Sequence, residues 1–150
     1  GGVSTVFPRP AFQNGVRGVV GDYRGTPDIA LSAAVDGGVT VYTSYDADDT
    51  GWSVVGGTSE AAPLFAGLVA LATQRAGHRL GVINPALYRL ASRPGNGIVD
   101  VTLGDNSYGD VTGYSAGPGY DLASGLGTIN AARFVPALAK AVRPTKWAQP

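Results

Sequence analysis

The spacing of apolar and polar positions changes rhythm several times along the chain. Residues 1–27 are rich in Gly and Pro with few apolar runs, which predicts loop with one short strand. Asp28-Ile29-Ala30-Leu31-Ser32-Ala33-Ala34 is a short apolar run suited to a buried strand. Val39-Thr40-Val41-Tyr42-Thr43-Ser44-Tyr45 alternates β-branched and aromatic residues and reads as a better one. The Asp36-Gly37-Gly38 turn between them predicts a hairpin. A polar turn, Asp46 to Gly51, then leads into a third strand at Trp52-Ser53-Val54-Val55.

After Gly56-Gly57-Thr58-Ser59 the pattern becomes helical from about Glu60 to Ala76, with Gly77 as the stop. Leu64, Phe65, Leu68, Val69 and Leu71 fall on several faces, which predicts a helix buried inside a layered domain. Pro63 is placed in its first turn, where a missing N–H does least harm. A shorter helix is expected from Asn84 as cap and Pro85 to about Leu90. Residues 92–128 are Gly- and Asp-rich loop, interrupted by Ile98-Val99-Asp100-Val101. Ile129 to Ala141 predicts a last amphipathic helix, bent at Pro136. Strands followed by buried helices favour an α/β fold, a mostly parallel sheet covered on both faces.

Composition narrows the classes. The chain has 150 residues, 44% of them hydrophobic and 15% charged, which excludes a disordered chain. The 23 glycines are about double the usual share, without a collagen-like period. Eleven basic and eleven acidic residues cancel, so nothing points to a nucleic-acid or anionic-membrane partner. The nine Arg against two Lys carry no functional message of their own. Without Cys there is neither a disulfide framework nor a thiolate metal site. The longest apolar run, Ala61 to Thr73, holds Pro63 and Gly67 and is too short to span a bilayer. The chain contains no Met, so a processed chain or a fragment is expected.

The stretch richest in chemistry is Gly56-Gly57-Thr58-Ser59-Glu60-Ala61-Ala62-Pro63. A strand runs through two glycines into a serine at the positive end of a helix, where unpaired N–H groups favour a developing oxyanion. The plainer reading is that Thr58 or Ser59 caps the helix, and for an isolated serine that reading prevails. The whole G-T-S-x-x-x-P string, in its strand–Gly-Gly–helix setting, resembles the nucleophile segment of the subtilisin-fold serine peptidases.

Other segments separate the branches of that fold. Arg24-Gly25-Thr26-Pro27-Asp28-Ile29-Ala30 is similar to the R-x-x-P-D segment of the sedolisins, the serine-carboxyl peptidases, and Gly1-Gly2-Val3-Ser4 with Phe7 to the tail of their S-G-G-G-x-S-x-x-F motif. Asp100-Val101-Thr102 with Ala116-Gly117-Pro118-Gly119-Tyr120-Asp121 resembles their calcium site, and Gly125-Leu126-Gly127 their closing motif. These motifs occur in order over residues 1–140. The resemblance implies the C-terminal part of a sedolisin-like, subtilisin-fold domain, with its nucleophile segment at 52–76 and its calcium region at 98–128.

The resemblance carries specific expectations. Ser59 is the expected nucleophile. Calcium is the expected cofactor, held by the Asp100 and Asp121 carboxylates and the carbonyls of Val101, Gly117 and Gly119. Calcium takes six to eight such oxygens, although two Asp twenty-one residues apart, taken alone, more often cap turns. A base for Ser59 is missing from this sequence. In sedolisins a Glu assisted by an Asp supplies it, and a further Asp lines the oxyanion hole. The expected partner is therefore an N-terminal chain of the same precursor carrying those acids, with polypeptide substrates and no nucleic acid or membrane. The expected activity is acid endopeptidase, from a zymogen, at a secreted or lysosome-like site. The chain alone is expected to be inactive and to expose an apolar edge. The competing readings are a subtilisin-type peptidase and a non-catalytic calcium-stabilised domain.

Three features are expected to be decoys. Gly113-Tyr114-Ser115-Ala116-Gly117 fits G-x-S-x-G, but that motif needs a helix directly after the serine, and Pro118 and Gly119 follow. Asp46-Ala47-Asp48-Asp49 lacks the spacing and closing Glu of a calcium loop. His78, the single histidine, lies beyond the far end of the Ser59 helix and is expected at the surface. Glu60 points away from its neighbour on a helix and is not expected to be the base.

Overall fold

The computed structural model describes residues 1–45, 48 and 50–143. They form two units, one of Gly1–Ala30 with the described residues from Val69 onward, the other Leu31–Leu68.

In the first unit, strands β1 (Gly2–Pro8) and β2 (Tyr23–Thr26) pair antiparallel, Gly2 opposite Thr26 and Val3 opposite Gly25. A 3₁₀ helix (Ala11–Val16) and a short helix α1 (Arg17–Val20) connect them. The N-terminal segment is thus more ordered than its Gly and Pro content predicts. Its backbone groups pair with each other, and Gln13 is wholly buried beneath them.

The rest of this unit is α3 (Asn84–Ala91), β5 (Ile98–Val99), β6 (Thr128–Ile129) and α4 (Ala131–Ala141). β5 and β6 pair antiparallel. The α3 helix starts where expected, but Ile83 holds the cap position. Asn84 lies inside the first turn, and its side chain donates to Asp28 instead. The Asn130 side chain caps α4 by accepting from the Arg133 N–H, and α4 continues through Pro136. Every buried hydrophobic residue described belongs to this unit, including Leu87, Leu90, Tyr120, Leu126, Phe134 and Leu138.

The second unit is built on one hairpin, β3 (Val39–Thr43) with β4 (Gly51–Val55), in unbroken antiparallel register from Val39–Val55 to Thr43–Gly51. Tyr42 and Trp52 face each other in an edge-to-face contact at 5.2 Å, the cross-strand aromatic pair that stabilises such a ribbon. This corrects the expected hairpin. The 28–34 segment is not a strand, because its backbone groups go elsewhere: Asp28 C=O accepts from Leu126 N–H, and Ala33 C=O from Gly57 N–H. Of the turn before β4, Asp46, Ala47 and Asp49 lie outside the described residues.

Helix α2 (Thr58–Ala76) begins two residues before the expected start and stops at Gly77, whose φ is +72°. It is not the buried helix its composition predicts. Only Glu60 and Ala72 are buried along it, while Leu64 and Leu71 are 43% and 53% exposed. The physical reason is a shortage of covering layers. Among the described residues the sheets are three antiparallel pairs, and no parallel pairing is formed.

Candidate functional site

Ser59 owes its position to the turn before it. Gly57 takes φ +75°, a left-handed conformation that a side chain would strain, and its N–H donates to Ala33 C=O at 2.6 Å. Its carbonyl accepts from the N–H groups of Glu60 (3.0 Å) and Ala61 (3.2 Å). Of the donors at this helix end, the Thr58 and Ser59 N–H groups find no acceptor among the described residues. Ser59 is exposed, and its hydroxyl makes no hydrogen bond among those residues. Thr58 and Ser59 lie inside the first turn of α2, after Gly57.

Because α2 starts at Thr58, Pro63 lies in the second turn, not the first. Its ring nitrogen has no proton for the carbonyl four residues earlier, which is that of Ser59. The Ser59 carbonyl therefore lacks its ladder donor, while the Ser59 N–H is one of the unpaired donors of the helix start. Glu60, the next residue, is 3% exposed, with Oε2 enclosed and unpartnered among the described residues. His78 follows the end of α2, half-buried, its Nδ1 3.0 Å from Arg79 O.

The candidate metal residues meet on one turn in the first unit. Asp121 Oδ2 accepts from Gly117 N–H at 3.0 Å, and Asp100 Oδ2 accepts from Gly119 N–H at 2.8 Å. The two carboxylates thus reach opposite ends of Gly117-Pro118-Gly119. Asp100 is exposed, and Oδ1 has no protein partner among the described residues; Val101, next to it, is half-buried. Asp121 is only 9% exposed, and its Oδ1 accepts from the Ala123 and Ser124 N–H groups and the Ser124 hydroxyl. Burial pushes its pKa up, but the Ser124, Gly117 and Ala123 donors outweigh this and hold it below the ordinary carboxylate value. The two carboxylates are hard oxygen donors of the kind calcium takes, while the turn meets them through the Gly117 and Gly119 N–H groups. No group of three or more His, Cys, Asp or Glu occurs among the described residues, so such a site has to draw on carbonyls. Asp105, in the loop between Asp100 and Asp121, is engaged in a turn of its own, accepting from Ser107 N–H. Residues 113–117 are not followed by a helix, in keeping with the G-x-S-x-G decoy.

No family model matches the chain. Similar proteins do. Kumamolisin of Bacillus sp. (strain MN-32) is 39% identical over 145 residues, covering 92% of this chain and 25% of that protein. Sedolisin of Pseudomonas sp. (strain 101) is 34% identical over 134 residues, covering 89% and 22%. Among solved structures, Pseudomonas sedolisin (serine-carboxyl proteinase) complexed with two molecules of pseudo-iodotyrostatin superposes with a TM-score of 0.81 at 31% identity, covering 93% of this chain and 36% of that one. The chain belongs to the sedolisin family. Its fold is α/β, and it spans about a quarter of the length of the curated relatives it matches.

Within this sedolisin-family chain, the Arg24–Asp28 motif turns out to be the hub of a polar network in the first unit. Asp28 pairs with the Arg24 guanidinium and accepts from Asn84 Nδ2 (2.9 Å) and the Tyr88 hydroxyl (2.7 Å). Tyr88 in turn accepts from Gln13 Nε2 at 2.6 Å, and the Gln13 amide bonds both backbone groups of Gly25. Burial, with the Asp28 charge beside it, drives the Tyr88 pKa far above the ordinary tyrosine value despite the opposing Gln13 bond, so its hydroxyl stays a donor. The sequence reading missed Gln13, Asn84 and Tyr88. The charge pair Arg24/Asp28 was the one local signal, and its partners lie up to 60 residues away.

Proposed function

We propose that this chain is the serine- and calcium-bearing C-terminal portion of an acid-acting serine-carboxyl endopeptidase. The observation that carries the reading is Ser59: an exposed hydroxyl on the first turn of α2 that, with the N–H groups of Thr58 and Ser59, has no partner among the described residues. In the proposed reaction, Ser59 Oγ attacks the carbonyl carbon of a peptide bond while its proton passes to a carboxylate base. The tetrahedral oxyanion is met by the Ser59 N–H, the C–N bond breaks, the amine leaves with a proton, and water hydrolyses the acyl-enzyme. The base, its assisting Asp and the oxyanion Asp come from an N-terminal portion of the same precursor. A carboxylate base suits acid conditions, since it titrates near pH 4. The parallel sheet expected of the fold is likewise completed by that portion, and the enzyme acts outside the cell or in an acidic compartment on polypeptides.

Calcium, where bound, is held by Asp100, Asp121 and the carbonyls of Val101, Gly117 and Gly119. Bound there, it would neutralise the two carboxylates and tie the long loop to the core. No helix among the described residues is long and apolar enough to cross a membrane.

The deciding experiment joins the chain to the N-terminal portion of its precursor and assays peptide cleavage at acid pH. The assembly cleaves, Ser59→Ala lowers kcat at least about a thousandfold, and the separate chain is inactive. Proteolysis by the pure chain that Ser59→Ala removes contradicts the need for a partner. An assembly with no Ser59-dependent cleavage leaves the non-catalytic alternative standing.

A further inference from the structure

The charges that cancel over the whole sequence do not cancel locally. In the first unit, the C-terminal ends of α3 and α4 border a groove of about 540 Å³ whose lining includes Arg89, Arg93, Lys140 and Arg143 and no carboxylate. All four are exposed, and none is ion-paired among the described residues, where the ion pairs are Arg17–Asp22 and Arg24–Asp28. Arg89 also donates to Ala141 C=O at 3.4 Å, which links the two helix ends.

Complementing the helix dipoles explains part of this cluster. Arg89 and Lys140 lie in the last turns of α3 and α4, where cations oppose the negative end of the helix. Arg93 and Arg143 lie beyond those helices, which end at Ala91 and Ala141. Four like charges around one groove repel one another, and no described acid relieves them. The floor between them is apolar: exposed Val82, half-buried Val142 and buried Leu90 all line it.

We propose that this groove is a docking site for an extended acidic peptide segment, Asp or Glu side chains engaging the four cations and apolar side chains resting on the floor. Charge complementarity selects the carboxylates, and guanidinium groups bind them in paired hydrogen bonds. The apolar floor distinguishes a peptide from a sulfated glycan or nucleic acid, whose recognition rests on a cationic surface and has no use for Val82 and Leu90. The inference is independent of Ser59 and of the calcium site.

The test titrates the whole chain with a short fluorescein-labelled peptide alternating Glu and Leu, read by anisotropy. Saturable binding is expected, with at least about tenfold loss when Gln replaces Glu and a similar loss in the double variant Arg93→Glu, Arg143→Glu. Both positions are exposed, so circular dichroism should be unchanged; should the reversal disturb folding, the milder Arg93→Gln, Arg143→Gln pair reads the same loss. Equal affinity for the Gln peptide, full binding by the folded double variant, no peptide binding at all, or tighter binding of a heparin-type oligosaccharide at the same salt overturns the proposal.

Discussion

At the residue scale, two acids show how differently a carboxylate can be kept. Asp121 is surrounded by donors, whereas Glu60 is buried with one oxygen unpartnered among the described residues. A carboxylate whose folded pKa is depressed stabilises the fold above its unfolded pKa, near 3.9, and that contribution disappears as pH falls through the folded value. Asp121→Asn is therefore expected to cost about 1.5–3 kcal/mol near neutral pH and progressively less below about pH 4. Urea unfolding across pH, with a chelator present, measures this; a cost that does not shrink on acidification contradicts the assignment. For a protein proposed to work in acid, a carboxylate held below its ordinary pKa keeps its charge further into the acid range. Asp121 was legible through the resemblance of its Ala116–Asp121 segment, but the Ser124 and Ala123 bonds that lower its pKa were not, because they depend on how the chain turns after it.

At the element scale, helices were read well and their surroundings poorly. Local periodicity and the Gly and Pro boundaries placed α2, α3 and α4 to within a few residues, since a helix satisfies its own backbone, although the cap position expected of Asn84 is held by Ile83. Strands need a partner, and choosing it is a tertiary matter: β3 took β4 instead of the 28–34 run, whose backbone groups bond Leu126 and Gly57. The close fit of that run shows at Gly125, where φ is +70° and a side chain would meet the Asp28 carbonyl at 2.6 Å. Asp28 also ties α3 to the N-terminal elements through Tyr88 and Gln13. Tyr88→Phe removes the hydroxyl that joins them and leaves Gln13 Nε2 and Asp28 Oδ1 each short of one partner. The expected destabilisation is about 1–3 kcal/mol with an unchanged denaturant slope, and a loss below a few tenths would show that the network has no energetic role.

At the scale of the whole molecule, the buried hydrophobic residues are concentrated in the first unit, while the unit carrying Ser59 has Glu60 as its one buried described residue. Trp52 is 73% exposed there, and Val35, Tyr42 and Val54 are each more than half exposed. Apolar side chains are thus exposed on this unit, and the chain spans about a quarter of its relatives' length. Calcium is expected to act at this scale as well. Binding only the folded state, it stabilises the assembly by a free energy that grows with the logarithm of its concentration, about 2.7 kcal/mol at a hundredfold excess over Kd, and raises the melting temperature accordingly. Calorimetry with and without chelator tests it, and Asp100→Asn should flatten the response.

The lack of a buried apolar core around β3 and β4 has a consequence for timing. Amide protons in segments with few buried contacts exchange through low-energy openings, far below the cost of global unfolding. In the separate chain, the hairpin amides should therefore exchange orders of magnitude faster than those of α3 and α4. Once the proposed N-terminal portion closes over Trp52 and Tyr42, they should slow to match. The stretch that presents the serine would then also record, in its exchange rates, the moment at which the enzyme became whole.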